Sequence, residues 1–190
     1  MAHSYKSQYP RDVAVEPSIV QFFENFYAVS DTPDAHDVYV DQFTDDATFI
    51  LASKVSRGRD GRSLSVFFCP NILKVITSVS TDSLAEIRST RCGMWSAVSS
   101  RQHTVFKVFP FGSSAREFML YGTVEFGFRN GQQGAVDWAA RAEMSQEGGR
   151  WRMSFYQVYL VSSVVYLARS LNWICTNLTQ DTGSQVYKKE

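Results

Sequence analysis

Three stretches in the second half of the chain alternate apolar and polar residues, and short turns separate them. Glu117–Arg129 alternates and runs into Asn130-Gly131; Val136–Gln146 runs into Gly148-Gly149; Trp151–Leu160 follows. A period of two puts successive side chains on opposite faces of a strand. Asn-Gly is the strongest short-range hairpin signal. The three segments therefore predict an antiparallel meander. His103–Phe109, rich in valine and phenylalanine, predicts a further strand before it, with Pro110–Ser114 as the connecting loop.

Helical spacing is confined to the first half. Pro17 opens a helix at its first turn, and Ile19, Phe22, Phe23, Phe26 and Tyr27 recur at intervals of three and four. Asp31-Thr32-Pro33-Asp34 breaks that pattern, and Asp34 reads as the N-cap of a second helix through Val38, Tyr39 and Phe43. Ala47–Ala52 and Lys54–Arg59 read as two short paired strands. Residues 1–16 are polar and aperiodic and read as a flexible arm. Helices first and sheet after is an α+β order.

Composition excludes several classes. Lys+Arg and Asp+Glu are 19 each, so there is no electrostatic case for nucleic acid or an anionic membrane. Cys69, Cys92 and Cys175 form no CxxC pair, which argues against a disulfide framework and a zinc site. No apolar run is long enough to span a bilayer, and the first 15 residues lack a secretory pattern. The expectation is a reduced cytoplasmic domain.

Two segments break the charge pattern. Ser63–Ser83 carries only Lys74 and Asp82, and Val161–Gln180 only Arg169; 41 residues of average composition would carry about eight charges rather than three. The domain is thus expected over 17–160, with an atypical insert near 63–83 and an atypical extension over 161–190. Translated introns would account for both segments, since Val161-Ser162 can be encoded by a splice-donor sequence and Gln180 by CAG. The competing reading is a genuine insertion and a C-terminal helix.

Alternation sorts the strands into faces. Phe118, Leu120, Gly122, Val124 and Phe126 share one side, with Val136, Trp138, Ala140, Ala142 and Met144. Tyr121, Glu125, Asp137 and Arg141 share the other. On the last strand Met153, Phe155, Gln157 and Tyr159 are expected opposite Ser154, Tyr156 and Val158. Asp137 and Arg141 lie about 13 Å apart on an extended strand, so Glu125 or Tyr121 is the expected partner of Arg141. A carboxylate taking a proton while Arg or Tyr steadies an enolate is one reading of this set. A cross-strand salt bridge on a dimer face is the other. His103 is a second candidate base. Trp95, Phe23, Tyr27 and Trp138 would form an aromatic pocket wall, or simply core.

The order of elements resembles the nuclear-transport-factor-2-like superfamily, and within it the SnoaL-like proteins of filamentous fungi. Phe22-Phe23-Glu24-Asn25-Phe26-Tyr27, Phe43-Thr44-Asp45-Asp46-Ala47, Gly93-Met94-Trp95, Arg101-Gln102-His103 and Val136–Ala142 carry the likeness. The resemblance implies N-terminal helices on a curved antiparallel sheet, a cystatin-like α+β barrel with a conical pocket, and a homodimer through the sheet. It further implies a cofactor-free, metal-free isomerase, cyclase or dehydratase acting on a small apolar secondary-metabolite intermediate. On that reading Asp137, His103 and Arg141 are the catalytic candidates. Tyr27, Trp95, Tyr121, Glu125 and Tyr156 are the candidates for substrate binding. A non-catalytic ligand-binding or dimerisation module, or a product of retained introns, are the alternatives.

Overall fold

The computed structural model describes residues 3–52, 54–58, 84–112 and 115–161. The two charge-poor segments lie outside the described residues, apart from Val161. The elements in chain order are α1 (Pro17–Ser30), α2 (His36–Val40), β1 (Phe43–Leu51), β2 (Lys54–Arg57), α3 (Ala85–Ser96), β3 (Val98–Phe111), β4 (Glu117–Phe128), β5 (Gln133–Glu147) and β6 (Arg150–Val161). The strands form one curved, unclosed sheet in the order β2-β1-β6-β5-β4-β3.

The expected meander is β4, β5 and β6, and β3 extends it as an antiparallel edge. One pairing departs from an all-antiparallel sheet: β1 runs parallel to β6. The crossover through α3 brings the meander back with its last strand running the same way as the first. Phe43 belongs to β1 rather than to the second helix, which starts at His36 and has no side-chain cap from Asp34.

Curvature has local causes. Bulges interrupt β3 near Ser99 and Phe106. A third lies in β6, where Phe155 pairs with Glu143 and Met153 with Met144, leaving Ser154 as the extra residue. That bulge reverses the expected faces of β6 beyond it: Met153 and Tyr156 are both buried, while Tyr159 is exposed. Gly122 on β4 lets β3 come close, because a Cβ there would sit 2.0 Å from the Thr104 carbonyl oxygen.

α1 lies in the concave face. Its buried stripe is the predicted one, Ile19, Phe22, Phe23, Phe26 and Tyr27. Phe23 meets Phe118 at 5.3 Å between ring centroids, Phe26 meets Tyr156 at 5.2 Å and Tyr27 meets Trp138 at 5.3 Å. Burying each such ring contributes roughly 1.5–3 kcal/mol, so the helix is held largely by packing, and its N-terminus has no side-chain cap.

The N-terminal arm lies along the β3 edge. Gln8 pairs in parallel with Lys107 on the β3 edge. Its N–H donates to Phe106 O at 3.1 Å, and Val108 N–H donates to Gln8 O at 2.9 Å. His3, Tyr5, Ser7 and Tyr9 turn inward while Ser4, Lys6 and Gln8 are exposed, a strand-like alternation too short to stand out in a polar sequence.

Candidate functional site

The site starts where α1 stops. Two buried arginines hold the last carbonyls of that helix. Arg91 donates from Nη1 to Ser30 O at 3.2 Å, and from Nη2 to Val29 O at 3.0 Å and Thr32 O at 2.6 Å. Arg101 donates from Nη2 to Ser30 Oγ at 3.0 Å and also to Ser30 O. Its guanidinium lies 4.8 Å from the Trp95 ring centroid. Helix C-termini attract cations because their last carbonyls are unpaired.

This clamp fixes Asp31, the residue just past the helix. Asp31 Oδ2 accepts from the His103 N–H at 2.6 Å, and Oδ1 lies 2.5 Å from His103 Nδ1. Arg101 Nε lies 3.5 Å from the same Oδ1. The Asp31 and His103 side chains retain only 5% and 14% of their exposure. With Nδ1 taken by the carboxylate, Nε2 is the ring nitrogen left for a ligand. Burial pulls the His103 pKa below its ordinary value; the Asp31 hydrogen bond and charge oppose this, and Arg101 and His3 add to it. The imidazole is therefore neutral near pH 7 and can accept a proton.

His103 opens into a cavity of about 80 Å³ between α1 and the sheet. A single water needs roughly 10–15 Å³ on this measure, so the space is real but smaller than most ligand pockets. Phe26, Phe49, Val124, Phe126, Trp138 and Leu160 make it apolar; Ser30, Arg101, His103 and Tyr156 give it polar points. Tyr156 and Tyr27 share a hydrogen bond of 3.0 Å between their hydroxyls. Burial is the first cause that pushes both phenols up, so they stay protonated. Trp138 Nε1 is buried without a hydrogen-bond partner among the described residues.

The candidates divide by face. His103 and Tyr156 line the cavity, Tyr27 packs behind it 5.3 Å from the His103 ring, and Trp95 backs Arg101. Asp137, Tyr121 and Glu125 are exposed on the opposite face. Arg141 is on that face too, paired with Glu117 at 2.6 Å and with Glu143, not with Glu125 or Tyr121. Asp31, Arg91 and Arg101 were not among the candidates. The signal was present: an acid immediately after a helix C-terminus is unfavourable unless cations are supplied.

A larger cleft of about 220 Å³ lies at the other end of α1, beside Glu16, Arg116 and Trp151. Its indole already donates to Ser18 Oγ at 2.9 Å, and it holds no acid–base pair like Asp31–His103. Among the described residues no cluster of His, Cys, Asp or Glu could hold a metal ion. Nor is any helix among them long and apolar enough to cross a membrane.

No family profile and no curated protein matches the sequence. Solved structures do. A protein of unknown function from Mycobacterium tuberculosis superposes with TM-score 0.60 at 12% identity, covering 90% of this chain and 92% of its own. A protein provisionally described as a scytalone dehydratase, from Novosphingobium aromaticivorans, gives 0.55 at 10% identity over 76% of this chain and 83% of its own. A hexachlorocyclohexane dehydrochlorinase from Novosphingobium barchaimii gives 0.53 at 10% identity over 76% and 85%. At such identities the likeness is one of fold.

Proposed function

On a fold that is nuclear-transport-factor-2-like, we propose that the cavity is the active site of an acid–base enzyme acting on a small apolar substrate. Its reaction is the removal of a proton from carbon. The observation that carries this reading is the Asp31–His103 pair, whose histidine lines an apolar cavity. Nε2 takes the carbon-bound proton, and Asp31 stabilises the imidazolium so formed. The electron pair left on carbon forms a double bond. In an elimination a neighbouring hydroxyl departs, receives the same proton from His103 and leaves as water. In an isomerisation the proton returns to a different carbon. On this reading Tyr156 and the unpaired Trp138 N–H, both of residues lining the cavity, donate to the oxygen on which charge develops. Neighbouring folds named for dehydration and dehydrochlorination fit the elimination branch.

The test uses a panel of apolar hydroxy-ketones deuterated next to the carbonyl. Loss of deuterium to water, read by mass spectrometry, reports the elimination, and transfer of deuterium to another carbon, read by NMR, reports the isomerisation. His103→Gln is expected to lower exchange by about 10²–10⁴-fold, the range for one general base. Full exchange by that variant overturns the assignment. A binding module without turnover is the second reading, favoured by the cavity's small volume. It predicts saturable binding and no exchange by the unaltered protein.

We propose also that two copies pair through the outer sheet face. Phe106, Phe109, Met119 and Tyr121 are each about 40% exposed there, and the rings of Phe109 and Tyr121 stack at 6.1 Å.

A further inference from the structure

Arg101 does more than hold the end of α1. Its side chain keeps only 5% of its exposure and lines the cavity beside Met94. A guanidinium carries five N–H donors, no acceptor, and a permanent charge. Nη2 is spent on Ser30. Nη1 reaches Met94 Sδ at 3.9 Å, and a thioether sulfur is a weak acceptor. Nε is buried and makes no hydrogen bond, with Asp31 Oδ1 3.5 Å away. The Nη1 end of a buried cation thus meets no oxygen among the described residues, at the wall of an apolar cavity. Buried polar groups are hydrogen-bonded as a rule, and a charged one left short is costly. The charge balance points the same way. Arg91 is fully buried and donates to backbone carbonyls. Asp31 is the carboxylate shared by Arg101 and His103. Two buried cations stand against that one carboxylate, and a proton taken up by His103 would draw on it further.

We propose that Arg101 is the anion-binding residue of the cavity, and that the ligand is a small apolar ring compound bearing one carboxylate, with an oxygen on Nη1 and its ring between the walls made by Phe49, Phe126 and Trp138. The inference rests on the reading of this cavity as the ligand site, and it narrows the substrate from apolar hydroxy-ketones to those that also carry a carboxylate. Carboxylates pair with guanidinium through short, charge-assisted hydrogen bonds. A carboxyl group ionises at about pH 4 and a phenol at about pH 10, so the carboxylate arrives charged without help from the site. The aromatic lining suits a ring, which buries much apolar area at little cost in flexibility. Arg101 binds and orients on this reading, and no proton passes through it.

The experiment measures binding without turnover, so its outcome is separate from the exchange assay. Benzoate and benzamide have nearly the same shape, and only benzoate is charged near neutral pH. Titration calorimetry on the full chain is expected to show saturable benzoate binding, about tenfold or more tighter than benzamide, the size of one charge-assisted hydrogen bond. Arg101→Met removes the cation and is expected to bring the two probes level. A second readout needs no change at Arg101, which also clamps Ser30. With the methionine methyls labelled with carbon-13, the Met94 signal, assigned through Met94→Leu, is expected to move on benzoate binding, because its sulfur lies against Nη1. No saturable benzoate binding, binding no tighter than that of benzamide, a Met94 signal that stays in place at saturation, or a preference that survives in Arg101→Met each overturns the proposal. Exchange of neutral hydroxy-ketones by a protein with no preference for benzoate would leave the active-site reading standing and remove Arg101 from binding.

Discussion

Asp31 sits where a carboxylate is least welcome, at the negative end of a helix, and it is tolerated because Arg91 and Arg101 take up the terminal carbonyls. The same burial makes protonated His103 expensive. Its folded pKa is depressed below the unfolded value near 6.5, so the unfolded chain binds more protons in the window just below that value. Stability is therefore full above about pH 6.5 and falls as pH drops through the folded pKa. Urea unfolding between pH 7.5 and pH 5 is expected to show this loss. In His103→Gln the profile over that window should be flatter. His103 was legible in the sequence as a histidine opening a valine-rich strand. Asp31 was not, because Asp31-Thr32-Pro33-Asp34 reads first as a helix stop, and its partner lies 72 positions away. Asp137 and Arg141 drew attention because charges stand out in an alternating strand. Alternation alone does not say which face is concave.

Element by element, α1 and the meander were readable because each has one dominant period and clean punctuation. The parallel β1–β6 pair was not, since nothing local marks a long-range partner. Nor was the bulge at Ser154, which turns Tyr156 toward the cavity and Tyr159 out. Between β3 and β4 the close approach depends on Gly122. Gly122→Ala would push a methyl into the Thr104 carbonyl, a backbone atom that cannot swing aside. We expect a loss of about 2 kcal/mol or more in chemical unfolding, in the range of overpacked cores. The strands would separate near Trp138, whose ring is 3.1 Å from the added carbon, so ligand affinity should fall as well.

For the molecule as a whole, the two sheet faces divide the labour. The concave face holds α1 and the cavity, and the convex face carries the aromatic row with the Arg141–Glu117–Glu143 bridges. Sedimentation velocity is expected to show a dimer, and Tyr121→Glu, placing a charge amid Phe106 and Phe109, to give a monomer. A monomer before substitution removes the pairing. Exchange in the monomeric variant should persist, because every group named in the chemistry comes from one chain.

The arm's contacts with β3 have a consequence in time as well as in space. His3 reaches a residue 100 positions away, and Tyr27 one 129 positions away. Contacts of such sequence separation close the largest loops in the chain and are slow to form. During synthesis His3 and Gln8 wait for strands that have yet to emerge. The cavity thus acquires the Asp31–His103 contact and its tyrosines late in folding, once both ends of these long-range contacts are in place.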